Sequence, residues 1–217
     1  MRTISSIVKD IIKSTPFLAE SLSEHIANTS KVARLIKKRV EAKRMEKVSE
    51  ASIGMALRRM KKDLQRQNFG TTLLQHLHDI TVRSDLVEFI LAYHTSDFLR
   101  IHRACIEAQK NTEGFFNISH GLRETIIIVS ADLEHQIKTI LKKIQGVKRI
   151  GNLSSITIRL PEKSMVVPGV YYPILKVLAW EGINLIEIVS IATELSLIFD
   201  AKDVDHAFSV IKSLIKE

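Results

Sequence analysis

The stretch INLIEIVSIATELSLIFDAKDVDHAF runs from Ile183 to Phe208. It holds two runs of branched apolar residues, INLIEIVS and ELSLIFDA, parted by a short polar break. Runs of this kind predict strands. After Ala201 the spacing changes. Val204, Ala207, Phe208, Ile211 and Leu214 stand at i, i+3, i+4, i+7 and i+10, which is the pattern of one helix face. Just upstream, YYPILKVLAWEG is a helical pattern closed by Gly182, a residue that tolerates the positive φ of a helix C-terminus. Before that, SITIRL alternates as a strand does.

The same order stands about seventy residues earlier. NTEGFFNISHGLRETIIIVSA from Asn111 lies over WEGINLIEIVSIATELSLIFDA from Trp180, so that Glu124 matches Glu194 and Ala131 matches Ala201, 70 positions apart. Val87 falls on Thr157 at the same offset, with no gap through the strands and the first helix; one residue inserted before Val204 aligns it with Leu133. Such an internal repeat constrains the architecture more than any single element does. In the first copy the strands are LVEFILAY, GFFNISH and ETIIIVS, and the helices are DFLRIHRACIEAQ and DLEHQIKTILKKI. VKRI, from Val147, is a candidate fourth strand. The second copy ends without one, so its edge must be covered by another segment or chain.

The N-terminal third is helical. Ile4, Ile7, Val8, Ile11 and Ile12 form one stripe, Phe17, Leu18, Leu22 and Ile26 a second, and Val32, Leu35, Ile36 and Val40 a third. Thr15-Pro16 reads as an N-cap and first helical position, and ANTS, from Ala27, as a break with capping side chains. Ser49 caps a fourth helix whose Ile53, Leu57, Met60 and Leu64 share a face. At about 100° per residue, Ala51, Met55, Arg58, Lys62 and Arg66 point the other way, with Arg59 beside them.

Net charge is +8 with a pI near 9.6. It is concentrated: Lys31 to Arg66 holds thirteen basic residues against four acidic ones. A helix buried on one side and basic on the other suits a DNA major groove, with Ser49, Ser52 and Met55 toward the bases and Arg58, Arg59, Lys62 and Arg66 near phosphates or guanines. The same face also reads as an ordinary solvated helix surface. Met55 there would then mark a protein contact, and the connection RMEKVS is longer than the tight turn of the simplest helix-turn-helix.

The second copy resembles an ACT domain, a small-molecule sensing module of amino-acid metabolism. Pro168-Gly169-Val170, LAWEGINLIEI and TELSLIFDAKDVDHAF carry the likeness. In layout the chain is similar to a family of predicted regulators of amino-acid metabolism with an N-terminal helix-turn-helix-like region. NTSKVARLI and VSEASIGMALRRM look like that region. The C-terminal part is also similar to the regulatory end of aspartate kinases. The resemblance implies an α+β chain: a helical domain over residues 1–68, a degenerate βαββαβ ferredoxin-like repeat over 69–150, and an ACT domain over 151–217. It also implies a homodimer paired through ACT sheets, and a small amino acid held by Met165, Val166, Val167, Pro168, Gly169 and Val170 together with Asn184. The chemistry fits, because free N–H groups at a helix start attract a carboxylate and glycine lets it approach. Pro-Gly is equally a plain turn and helix entry. In the first copy Leu99 stands 70 residues before Gly169, so that copy carries no Pro-Gly and no ligand residues transfer to it.

No motif of a phosphate loop, a serine hydrolase or a zinc protease is present, and no enzyme activity or cofactor is expected. Of the eight histidines, His76 and His78 are the tightest pair, without a cysteine or acidic cluster to complete a metal site. Cys105, the single cysteine, reads as core, and Trp180 as packing at a helix end. The lone cysteine and the lack of a signal peptide point to the cytoplasm. The expectation is an amino-acid-responsive transcriptional regulator. The alternative is a non-catalytic regulatory subunit that pairs through ACT domains and does not bind DNA.

Overall fold

The structure, a computed structural model, describes residues 2–64, 79–92, 95–110 and 114–216. The chain divides into two compact units, Met1–Asn68 and Phe69–Glu217.

Among the described residues, the first unit contains four helices: α1 (Ile4–Lys13), α2 (Pro16–Ser23), α3 (Thr29–Arg44) and α4 (Glu50–Leu64). Their starts are set by side chains that accept from otherwise unpaired N–H groups. Thr3 accepts from Ser6, Asn28 from Ser30 and Lys31, and Ser49 from Ser52 at 3.2 Å. Thr15 departs from expectation: its hydroxyl donates back to the Ile11 carbonyl at 3.0 Å, and Pro16 alone starts α2. Ile7, Ile11, Ile12, Leu22, Ile36, Ile53 and Leu57 are almost wholly buried in one core. Each contributes about 2 kcal/mol by leaving water. The second and third stripes are only partly inward. Phe17, Ile26 and Leu35 are exposed, and Ala19 and Ala33 take core places, because a small side chain lets crossing helices approach. The α3–α4 connection is tied down by the Val48 N–H donating to Glu41 Oε1 at 3.0 Å.

Among the described residues, the second unit is one antiparallel sheet of six strands with helices on one face. Its elements are β1 (Ile80–Ala92), α5 (Thr95–Gln109), β2 (Phe116–His120), β3 (Glu124–Ser130), α6 (Glu134–Leu141), β4 (Lys148–Arg159), α7 (Tyr172–Trp180), β5 (Glu187–Ile191), β6 (Glu194–Asp200) and α8 (Val204–Lys216). Strand order is β2-β3-β1-β4-β6-β5. β1 and β4 are 13 and 12 residues long, and each does two jobs. The second half of β1 pairs with β3, while its first half, Ile80–Arg83, pairs with Ser155–Ile158 of β4. The second half of β4 pairs with β6, while its first half pairs with Leu86–Ile90 of β1. Each repeat therefore borrows its fourth strand from the other. The edge left open in the second repeat is covered by Ile80–Arg83. VKRI is not a separate strand: its last three residues begin β4, which runs unbroken past residues 150 and 151.

The halves change role at two bulges. Asp85 has φ of 54° and Asn152 φ of 60°, and the register shifts beside them. Asp and Asn are the non-glycine residues that enter this region at least cost. Leu86 and Leu153 face each other at the pseudo-twofold centre. The pairing also corrects the repeat register. Val87 is opposite Val129 and Ser154 is opposite Phe199, so Ser154, not Thr157, corresponds to Val87. The offset is thus 67 in the first strand and 70 from β3 and β6 onward.

Val87, Phe89, Ile101, Ile127 and Ile137 pack under the helices of the first repeat, and Ile156, Leu178, Leu197, Phe199 and Ile211 under those of the second. Cys105 is fully buried in the first of these cores, and burial pushes its thiol up to about 11. A further cluster on the opposite face joins Leu86, Ile128, Leu153 and Ile198. The start of β2 and the β5–β6 hairpin, at opposite edges of the sheet, line one cavity, so the sheet curls.

Candidate functional site

The strand-to-helix crossover of the second repeat holds most of the expected ligand residues. Chain polarity changes abruptly after Leu160. Residues Glu162–Val166 make a short 3-10 turn, Pro168–Val170 a further turn, and α7 begins at Tyr172 without a side-chain cap. Gly169 has φ of 79°, and a Cβ built there meets nothing within 4 Å. The backbone conformation, not a lack of room, is what asks for glycine. In the first repeat α5 starts at Thr95 and Leu99 is helical, so that copy needs no glycine because it takes another path.

Met165 and Val166 are 63% and 82% exposed, Val167 is half-buried, Pro168 and Gly169 are exposed, and Val170 is buried. Asn184 is exposed ahead of β5. Trp180, expected to pack, is 74% exposed. Tyr171 Oη and Ser190 Oγ share a hydrogen bond of 2.9 Å, which fastens the crossover to β5.

A second polar region lies on the sheet face away from the helices. Its cavity, of about 340 Å³, is walled by Phe115, Val189 and Ile191 and carries Arg83, Arg159, Asp79 and Glu194. It includes none of the crossover residues. Glu88 lies deeper on the same face, opposite Ile128 in register. Its side chain is 0% exposed and neither carboxylate oxygen has a hydrogen-bond partner among the described residues. Burial, and then Glu187, push it up to about 7. Glu187 is raised in turn by burial and by Glu124. Sequence reading passed over Glu88 because LVEFILAY is apolar at both parities and marks a strand without saying what covers each face. Its signal was a carboxylate inside an otherwise apolar strand.

In the first unit, Ser49 and Ser52 share a hydroxyl hydrogen bond of 2.8 Å, so both are engaged in capping α4. Met55, Arg58 and Arg59 are exposed, as the helical spacing requires. The Lys62 side chain and all of Arg66 lie outside the described residues, as do His76, His78 and His94. Glu50 in the first turn of α4 meets Arg34 at 3.5 Å and Lys37 at 3.9 Å, joining α3 to α4. A groove of about 370 Å³ runs beside it, lined by Ser30, Ala33, Glu50, Gly54, Met55 and Arg58. Among the described residues, no helix is long and apolar enough to cross a membrane.

No protein-family model and no curated protein matches the chain. Solved structures do. The aspartate kinase regulatory subunit of Thermus thermophilus, in ligand-free form, is 14% identical with a TM-score of 0.51 over 64% of this chain and 98% of that one. A chain of the aspartokinase alpha and beta subunits is 19% identical with a TM-score of 0.53 over 65% and 99%. Escherichia coli aspartokinase III in complex with lysine and aspartate is 12% identical with a TM-score of 0.51, and this chain spans 33% of it. At these identities the likeness is one of fold: the α+β unit is ACT-like, of the kind found in aspartate kinase regulatory domains.

Proposed function

We propose that the protein is a non-catalytic regulatory protein that responds to a small amino acid and works as a homodimer. The observation that supports the reading is the match over 98% of a chain described as a regulatory subunit of aspartate kinase. A related enzyme was solved with lysine and aspartate bound. In this reading Met165 to Val170 and Asn184 contact the effector, and the exposed Met165 and Val166 are covered by a second copy. Effector binding then shifts the pairing equilibrium by its differential affinity for the two arrangements. Thermal unfolding of the full chain against each of the twenty amino acids tests it. The expected result is a rise in midpoint with one or a few of them; no shift with any would refute the reading.

A second reading is favoured by one observation. Arg58 and Arg59 are exposed on α4 and make no ion pair among the described residues. In this reading the first unit binds DNA and the effector controls it, as in a transcriptional regulator. Anisotropy titration with duplex DNA at two salt levels tests it. With about four phosphates neutralised, a fourfold rise in salt weakens binding roughly a hundredfold. Salt-insensitive binding, or none, leaves the regulatory subunit without a DNA role.

A further inference from the structure

The cavity on the helix-free face of the sheet has a floor set by strand register. Thr81 of β1 faces Thr157 of β4, which faces Ser196 of β6, which faces Val189 of β5. The floor is thus a row of three hydroxyl-bearing residues ending in an apolar one. One step outward, Arg159 faces Glu194, and Glu194 faces Ile191. Asp79 adjoins them, its carbonyl accepting from the Arg159 N–H at 3.0 Å. One step inward, Arg83 faces Ser155, whose hydroxyl is buried without a hydrogen-bond partner among the described residues. The start of β2 supplies Phe115 as the opposite wall, while Phe116 lines the cavity from β2 with its side chain packed in the helix-side core.

Two features set this cavity apart from an ordinary surface depression. First, it holds two guanidinium groups and two carboxylates, and among the described residues none of the four is in an ion pair. Arg159 and Glu194 are direct cross-strand neighbours, a placement that ordinarily brings opposite charges together. Second, the polar floor and mixed charges stand against an aromatic and branched wall. A volume near 340 Å³ sits at the small end of ligand pockets, which run from about 300 to 1,000 Å³. A purely anionic ligand would meet Asp79 and Glu194, and a purely cationic one Arg83 and Arg159. A neutral apolar ligand would strip water from all four charges without replacing it.

We propose that this cavity is a binding site for a small zwitterion of the α-amino-acid type. Guanidinium groups and floor hydroxyls take the carboxylate, Asp79 and Glu194 take the ammonium, and the wall takes the side chain. The site lies inside one chain and needs no second copy, so it is separate from the crossover loop.

Calorimetric titration of the full chain with the twenty amino acids tests it, with Arg159→Gln, Glu194→Gln and Asn184→Ala as variants. Both exposed cavity residues are replaceable without touching the core, and unchanged thermal midpoints of the free variants check this. The expected result is an amino acid whose affinity falls tenfold or more in each cavity variant, the usual scale for a lost charged hydrogen bond. Its deaminated and decarboxylated analogues should bind at least as poorly. A site lost only in Asn184→Ala overturns the cavity proposal and leaves the regulatory reading standing. Two sites, one lost with each set of variants, support both. No binding by any amino acid overturns both.

Discussion

The two repeats of the second unit fold alike and differ at the same place on the chain, the passage from first strand to first helix. In the first repeat it is direct, with α5 beginning at Thr95 and Leu99 inside it. In the second, a 3-10 turn and a glycine at φ of 79° intervene before α7. Sheet and core do not demand the longer route, since one repeat manages without it. The interior differs as well. The fully buried Glu88 corresponds through the register to Ser155, opposite Ile128 in one repeat and Ile198 in the other. A pseudo-symmetric frame thus carries an asymmetric crossover and an asymmetric interior charge.

The largest effect should come from testing whether the halves are separable. Phe89 and Phe199 lie in different repeat cores and are fully buried or nearly so. Replacing either with alanine should cost about 3–5 kcal/mol. Because β1 and β4 each complete the other repeat, hydrogen exchange should accelerate in both repeats whichever Phe is removed. Protection kept in the untouched repeat would show that the shared strands do not couple them.

Next comes the interior asymmetry. Burial, and then the Glu187 carboxylate, push Glu88 up to about 7 from an ordinary carboxylate value near 4.5. The folded state therefore binds more protons than the unfolded one between these values. Stability is full below about pH 4.5 and falls as pH rises to 7, by about 3 kcal/mol in all. Glu187, also raised, acts in the same direction. Glu88→Gln should flatten this slope in urea titrations at pH 5 and pH 8; an unchanged slope would place the titrating group elsewhere.

A smaller effect tests the crossover. Gly169→Val forces a branched residue into the left-handed region at about 1–2 kcal/mol, so it lowers the thermal midpoint before any ligand is added. Leu99→Gly in the first repeat costs about 1 kcal/mol for a different reason, glycine's helix penalty. If Gly169→Val proved neutral, the turn would have to relax away from positive φ. The smallest effect concerns the bulge in β4. Asn152→Gly should be neutral to stabilising by less than about 1 kcal/mol, because the backbone already stands at φ of 60°.

Local patterns were legible from residues alone. The stripe of Ile53, Leu57, Met60 and Leu64 is the buried face of α4, and Ser49 caps it. The 70-residue offset holds from β3 and β6 onward, with Glu124 and Glu194 starting equivalent strands. Gly182 ends α7 at positive φ, as its place after the apolar run implied. Phe17 and Leu35 misled because helical spacing tells which residues share a face but not how far a neighbouring helix covers it, and Ile26 misled because α2 ends at Ser23 before reaching it.

Of the candidate ligand residues, the sequence located the crossover and its glycine. The cavity was invisible to it, since Arg83, Arg159 and Glu194 come from three strands, and Asp79 from the residue before β1, that meet only by pairing. The exchange of fourth strands was hidden for the same reason. Periodicity along a chain reports its local geometry, whereas which strand lies beside which is settled by long-range hydrogen bonding and burial. So the order of helices and strands follows from the residues themselves. That two repeats close into one curled sheet around Glu88 was decided only when β1 and β4 met.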